Sequence, residues 1–192
     1  MGVGMKRVLD ATCSISRRWP KEADVRMDIN PSAKPDVVAD ASYLPFRDGA
    51  FSDVYCDPPH LVGFGEKDKS WNEDLDYVPG YARFSKWKTR SYWIVFLKRT
   101  NAEFARVLRP AGLLHYKIPD GTRSHGRMID VGDLKTYMSH FRVVKDMTKM
   151  SDGHLARINR KQGKAPTIIH YLAMQKTSSR IEDHIYEQEG GG

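Results

Sequence analysis

The chain has 192 residues, 40% hydrophobic and 29% charged, which supplies enough apolar material for one core but not for two. No apolar run reaches the ~20 residues of a membrane helix, and MGVGMKRV has neither a signal-peptide apolar stretch nor the hydroxyl a myristoylation site needs at position six. A formal net charge of +7 points to a polyanionic partner.

A single domain over 1–192 in the cytoplasm is therefore expected. Cys13 and Cys56 both fall in strand-like runs and read as small buried residues of a reducing compartment. The seven histidines lack metal-ligand spacing, so no metal site is expected.

In chain order, KRVLDATCS predicts the first strand, and ISRRWPKEAD a loop or brief helix interrupted by Pro20. VRMDIN is the second strand, stopped by Asn30-Pro31, and DVVADAS the third. A turn at Asp48-Gly49 leads into SDVYCD, the fourth. Residues 61–92 are polar and aromatic and too long for a plain connector, so they predict a substrate loop or lid. SYWIVFLKRTNAEFARVLRP carries Trp93, Phe96, Leu97, Phe104, Val107 and Leu108 at helical spacing and stops at Pro110-Ala-Gly. LLHYKIPD is the fifth strand, and VGDLKTYMSHF a helix with Asp130 or Asp133 as cap. FRVVKDMTKM and TIIHYLAMQK close the chain as an antiparallel pair around the basic loop RINRKQGKAP. Residues 178–192 are an acidic tail expected to be flexible.

This alternation predicts an α/β fold: a mostly parallel seven-stranded sheet, its last strand antiparallel, with helices on both faces. In such sheets ligands sit at the carboxyl ends of the strands. That rule makes neighbours of Asp10, Asp28, Asp40 and the segment CDPPH, Cys56 to His60. Asp-Pro-Pro alone can be mere turn chemistry. Behind three acid-tipped strands it reads as functional.

The pattern resembles the class I S-adenosylmethionine-dependent methyltransferases from Lys6 to about Gln175. Within them it is most similar to the amino-methyltransferases with an Asp-Pro-Pro-aromatic signature, and to small phage and prophage methyltransferases, on VLDATCS, VVAD, LPF and DPPHL. The resemblance implies a Rossmann-like fold and S-adenosyl-L-methionine as cofactor. It places Asp10, Ala11, Thr12, Cys13 and Ser14 in the loop after the first strand, with Asp10 facing the methionine end. Asp28 and Ile29 would lie at the ribose, Asp40 and Ala41 at the adenine, and Asp57 between cofactor and substrate. Ser14 and Ser16 stand where two glycines are usual, and His60 where Tyr, Phe or Trp is commoner. Serine is less permissive of unusual dihedrals than glycine.

The implied catalytic set is Asp57, Pro58, Pro59 and His60. An exocyclic amine is a poor nucleophile because its lone pair is delocalised into the ring. Two acceptors, the Asp57 carboxylate and the Pro58 carbonyl, can draw it toward a pyramidal geometry. Prolines aim that carbonyl without donors of their own, and His60 would lie flat on the base. Substrate contacts are expected from Phe64, Trp71, Lys86, Lys88, Arg157, Arg160 and Lys161, because aromatics among cations stack bases and hold phosphates. The function expected is methyl transfer to DNA adenine N6, with cytosine N4 or RNA as variants, and a homodimer as one route to sequence specificity. The alternatives are an inactive methyltransferase-like nucleic-acid-binding subunit and a small-molecule methyltransferase.

Overall fold

The computed structural model describes residues 6–14, 19–59, 61–62, 86–87, 90–120, 127–128, 131–150 and 168–177. Four strands come first: β1 (Val8–Asp10), β2 (Val25–Asp28), β3 (Val37–Val38) and β4 (Phe51–Cys56). They are followed by β5 (Leu61–Val62), β6 (Lys86–Trp87), helix α1 (Arg90–Val107) and β7 (Leu108–Asp120). Then come β8 (Arg127–Met128), helix α2 (Val131–Tyr137), β9 (Phe141–Met150) and β10 (Ile168–Lys176).

Seven strands form one sheet in the order β3-β2-β1-β4-β7-β10-β9. Numbering only these seven along the chain gives 3-2-1-4-5-7-6. The first five pair in parallel. β10 runs antiparallel to both its neighbours, β7 and β9, so the closing hairpin wedges its second strand inward. The order reverses beside β1, between β1 and β4, which is where a ligand cleft forms in sheets of this kind.

One sheet face carries the core. Leu9, Met27, Val54, Cys56, Leu114, Tyr116, Ile118, Leu172 and Met174 are all buried, and Trp93, Leu97 and Phe104 of α1 are buried with them. α2 is fastened to α1 by the Trp93 indole, which donates to Asp133 Oδ2 at 3.2 Å. Truncating an aromatic anchor of this kind typically removes ~3–5 kcal/mol. Asp133 is itself buried; Asp130 lies outside the described residues. Cys13 and Cys56 are both buried, as expected.

Three findings refine the predicted elements. Among the described residues the crossovers from β1 to β4 hold no α-helix, only a single 3-10 turn at Pro31–Ala33 capped by Asn30. The segment 61–92 is not loop throughout: Leu61–Val62 pairs in parallel with Lys86–Trp87 and antiparallel with Arg127–Met128, and α1 already begins at Arg90. β7 starts five residues before the predicted LLHYKIPD, and its pairing with β4 jumps from Phe51–Leu108 to Asp53–Leu113. Ala111 bulges out there with φ +59°. A Cβ on Gly112 would lie 2.9 Å from Leu108 Cδ2 and 3.1 Å from the Ser52 carbonyl, so any larger residue in this tight return would press on a buried leucine and on the β4 backbone. Among the described residues no helix is long and apolar enough to cross a membrane.

Arg106 of α1 is a structural fastener. Its guanidinium donates to the Phe46 carbonyl (2.6 Å), the Leu44 carbonyl (2.9 Å), Glu103 and Asp48. Glu103 in turn accepts the Leu44 N–H at 2.7 Å. The loop between β3 and β4 is thereby tied to α1 by a planar fork that lysine cannot reproduce. Arg106→Lys is expected to lower unfolding free energy by about 1–3 kcal/mol in urea titration. A loss of no more than a few tenths of a kcal/mol would remove Arg106 from this role.

Candidate functional site

Each acid predicted at a strand end first does a local job. Asp10 Oδ1 accepts the Thr12 N–H (3.3 Å), Asp28 Oδ1 the Asn30 N–H (2.9 Å) and Asp40 Oδ1 the Ser42 N–H (2.8 Å). The same turn, in which a side chain accepts the N–H two residues on, is thus made where the chain leaves each of three successive strands. Turn chemistry accounts for one oxygen of each carboxylate.

The second oxygens differ, and they define the site. Asp28 Oδ2 accepts the Ser14 N–H at 2.8 Å, so the second strand's acid holds the loop after the first. Asp10 is 1% exposed, and its Oδ2 is buried with no hydrogen-bond partner among the described residues. Burial pushes its carboxyl up to about 7. The Thr12 N–H and then Arg26 pull the other way, while Asp28 and Asp57 add to the rise. A buried oxygen without a donor is costly, and a cation placed against it would relieve that cost.

The loop after β1 is held in place at every residue. Ala11 N–H donates to the Tyr55 carbonyl (2.9 Å) and Cys13 N–H to the Met27 carbonyl (3.0 Å), which strings the loop between β4 and β2. Ser14 adopts φ +54°, the left-handed backbone that a glycine takes without strain. Serine at this position therefore keeps a glycine-like bend. With the N–H groups of residues 11 to 14 all engaged, the loop offers a ligand its carbonyls and the Thr12 and Ser14 hydroxyls.

Thr12 also joins the two halves of the site. Its Oγ1 accepts the Asp57 N–H at 2.7 Å, bringing the first residue after β4 against the β1 loop. Pro58 is buried and Pro59 half-buried behind it. The Asp57 carboxylate points away from the apolar core and forms an ion pair through Oδ2 with Lys117 of β7. Lys117 shares its sheet face with Tyr171, its register partner on β10. On the same side Tyr55 stacks on His115 at 4.2 Å, and the edge of Trp19 meets Tyr55 at 4.8 Å.

The structure therefore brings Asp10, Thr12, Ser14, Asp28 and Asp57 together around the ends of β2, β1 and β4. Asp40 and Ala41 lie one strand further out, where the Ala39 N–H reaches the Asp28 carbonyl. Ala41 is buried, while Ile29 leaves an aliphatic surface 48% exposed beside Asp28. Lys86 is the first residue of β6. His60, Ser16, Phe64, Trp71, Lys88, Arg157, Arg160 and Lys161 lie outside the described residues. Sequence reasoning missed Lys117. The signal was present in LLHYKIPD: with Leu114, Tyr116 and Ile118 facing the core, a lysine is left on the opposite side of a central strand, where lysine is uncommon.

No protein-family model and no curated protein sequence matches the chain. Solved structures do match in fold. A geranyl diphosphate C-methyltransferase from Streptomyces coelicolor A3(2), crystallised with Mg2+, geranyl diphosphate and S-adenosyl-L-homocysteine, is 9% identical at TM-score 0.54, covering 90% of this chain and 72% of its own. The [4+2]-cyclase SpnF is 14% identical at TM-score 0.53, covering 90% and 75%. A SAM-dependent methyltransferase from Methanosarcina mazei is 12% identical at TM-score 0.50, covering 88% and 92%. The shared architecture is the Rossmann-like methyltransferase fold, and one neighbour with it is named a cyclase.

The state of Asp10 has a measurable sign. Its folded pKa of about 7 lies above the ordinary 3.8, so the folded protein binds the proton more tightly and loses stability as pH rises from about 4 to about 7. Asp10→Asn removes that dependence. Between pH 5 and pH 8 the wild type should lose roughly 3 kcal/mol relative to the variant in urea titration. Parallel pH profiles for the two would mean that the buried carboxyl is ionised throughout.

Proposed function

We propose that this protein is an S-adenosylmethionine-dependent methyltransferase whose acceptor is the exocyclic amine of a nucleic-acid base, adenine N6 of DNA in the first place. The observation that carries the reading is a buried carboxylate oxygen on Asp10, Oδ2, that has no partner among the described residues, on a side chain whose Oδ1 accepts from Thr12, which in turn holds an Asp-Pro-Pro turn with a partly exposed carboxylate. The chemistry of the donor set fits the cofactor. Asp10 offers an anion to a ligand that is cationic at its amine and sulfonium. Asp28 retains acceptor capacity for ribose hydroxyls, and Ile29 and Asp40 offer an apolar edge and an acceptor for an adenine. When bound, S-adenosylmethionine supplies a methyl group on a positively charged sulfur.

The chain's own residues then act by orientation. Asp57 is held by its backbone through Thr12 and at Oδ2 through Lys117, which leaves Oδ1 without a partner among the described residues. That oxygen accepts one N–H of the amine, and the Pro58 carbonyl accepts the other. The nitrogen lone pair is thereby turned out of conjugation and aligned for attack, and alignment of this kind accounts for a large share of such barriers. The proton that the nitrogen sheds passes to solvent at the half-exposed carboxylate. Nucleic acid as the substrate is supported by the net charge of +7 and by the Asp-Pro-Pro turn. A base in a duplex would have to be extruded to reach Asp57.

A second reading, methylation of a small molecule, is supported by a structural neighbour named for geranyl diphosphate. The inactive-subunit reading is weakened by Ser14, whose backbone already adopts the bend that glycine would supply.

Radiolabelled S-adenosylmethionine should transfer label to a DNA pool more readily than to an RNA pool, and Asp57→Ala should lower that transfer about 10²- to 10³-fold. Undiminished transfer by the variant would remove Asp57 from the chemistry. Label passing only to small molecules would favour the second reading.

A further inference from the structure

Asp57 and Lys117 place an acceptor and a donor side by side at the ends of adjacent strands. The carboxylate is 27% exposed and the ammonium 24% exposed, so both are reachable from solvent. Lys117 uses one of its three hydrogens on Asp57 Oδ2, and no other described residue bonds to it. No described residue bonds to Asp57 Oδ1. The pair is thus a two-point plug: one oxygen that wants an N–H, and beside it a nitrogen that wants a lone pair.

We infer that Lys117 is a specificity-determining residue, which donates a hydrogen bond to the ring nitrogen next to the target amine. The inference rests on the function proposed above and narrows its substrate to one chemical group, the amidine edge N–C–NH2 of an aminopyrimidine ring. Adenine presents that edge as N1 and the N6 amine, and cytosine as N3 and the N4 amine. Thymine, uracil and guanine present the reverse on their Watson–Crick edges, a carbonyl oxygen beside a ring N–H. Against Asp57 and Lys117 those bases would set oxygen against oxygen and N–H against ammonium. Such mismatches reject strongly because buried polar groups are left unpaired. Lys117 therefore sorts amino bases from keto bases, while Asp57 and Pro58 hold the amine itself.

The test uses the full chain and oligonucleotides bearing adenine, 1-deazaadenine or 7-deazaadenine at a base that the wild type methylates or binds, with affinity and methyl transfer measured in parallel. The wild type should bind and turn over the 1-deaza oligonucleotide about 10- to 100-fold worse than adenine, while the 7-deaza oligonucleotide behaves like adenine. Lys117→Met should lose a similar factor on adenine and show no further penalty with 1-deazaadenine. Lys117→Gln, which keeps a donor, should retain part of the discrimination and guards against a folding defect in the methionine variant. Equal handling of adenine and 1-deazaadenine by the wild type overturns the inference, as does a 1-deaza penalty that persists in Lys117→Met. A penalty confined to 7-deazaadenine overturns it too. Discrimination in affinity without methyl transfer would sustain the inference and overturn the proposed function. Transfer without discrimination would do the opposite.

Discussion

The arrangement of the site depends on a buried carboxylate that the fold leaves half satisfied. Asp10 ends the central strand β1, between β2 and β4, and only one of its oxygens has a hydrogen-bond donor among the described residues. The surrounding acids intensify the strain, since Asp28 and Asp57 both act on it. Such a group is chemically suited to a ligand that brings the opposite charge.

The connections around Asp10 are economical. Thr12 takes the Asp57 N–H on its hydroxyl and so converts a turn into a fixed platform. Asp28 holds Ser14, and Ser14 accepts an unusual backbone to be held. Three strand ends are thereby locked to one another by side-chain-to-backbone bonds, with no helix needed among the described residues of the β1–β4 crossovers. Rigidity at these positions matters for the proposed reaction, because aligning an acceptor with an electrophilic carbon tolerates little displacement.

Much of this was legible in the amino-acid order. Apolar runs ending in Asp10, Asp28 and Cys56-Asp57 located strand tips, and the short polar link before TIIHYLAMQK announced an antiparallel close. The Asp-Pro-Pro turn was readable because its two prolines and its acid have few roles in common. What escaped was pairwise and long-range. Lys117 lies sixty positions from Asp57, and only the register of β7 against its neighbours sets them together. For Arg106 the chain shows one local partner, Glu103, whereas its other acceptors come from the distant loop before β4. The strands at Leu61–Val62 and Lys86–Trp87 were hidden for a similar reason, since two residues carry no periodicity until a partner is known.

The puckered corner at Ala111-Gly112 governs more than the entry to β7. In a pleated strand the phase of alternation is inherited from the first paired residue, so adding or dropping one residue between Leu108 and Leu113 reverses every side chain beyond it. Tyr116 and Ile118 would be turned out toward solvent, and Lys117 would be driven among Leu9, Val54 and Cys56. This corner works as a spacer with only two settings, and the setting seen here places a cation beside Asp57 instead of inside the apolar layer.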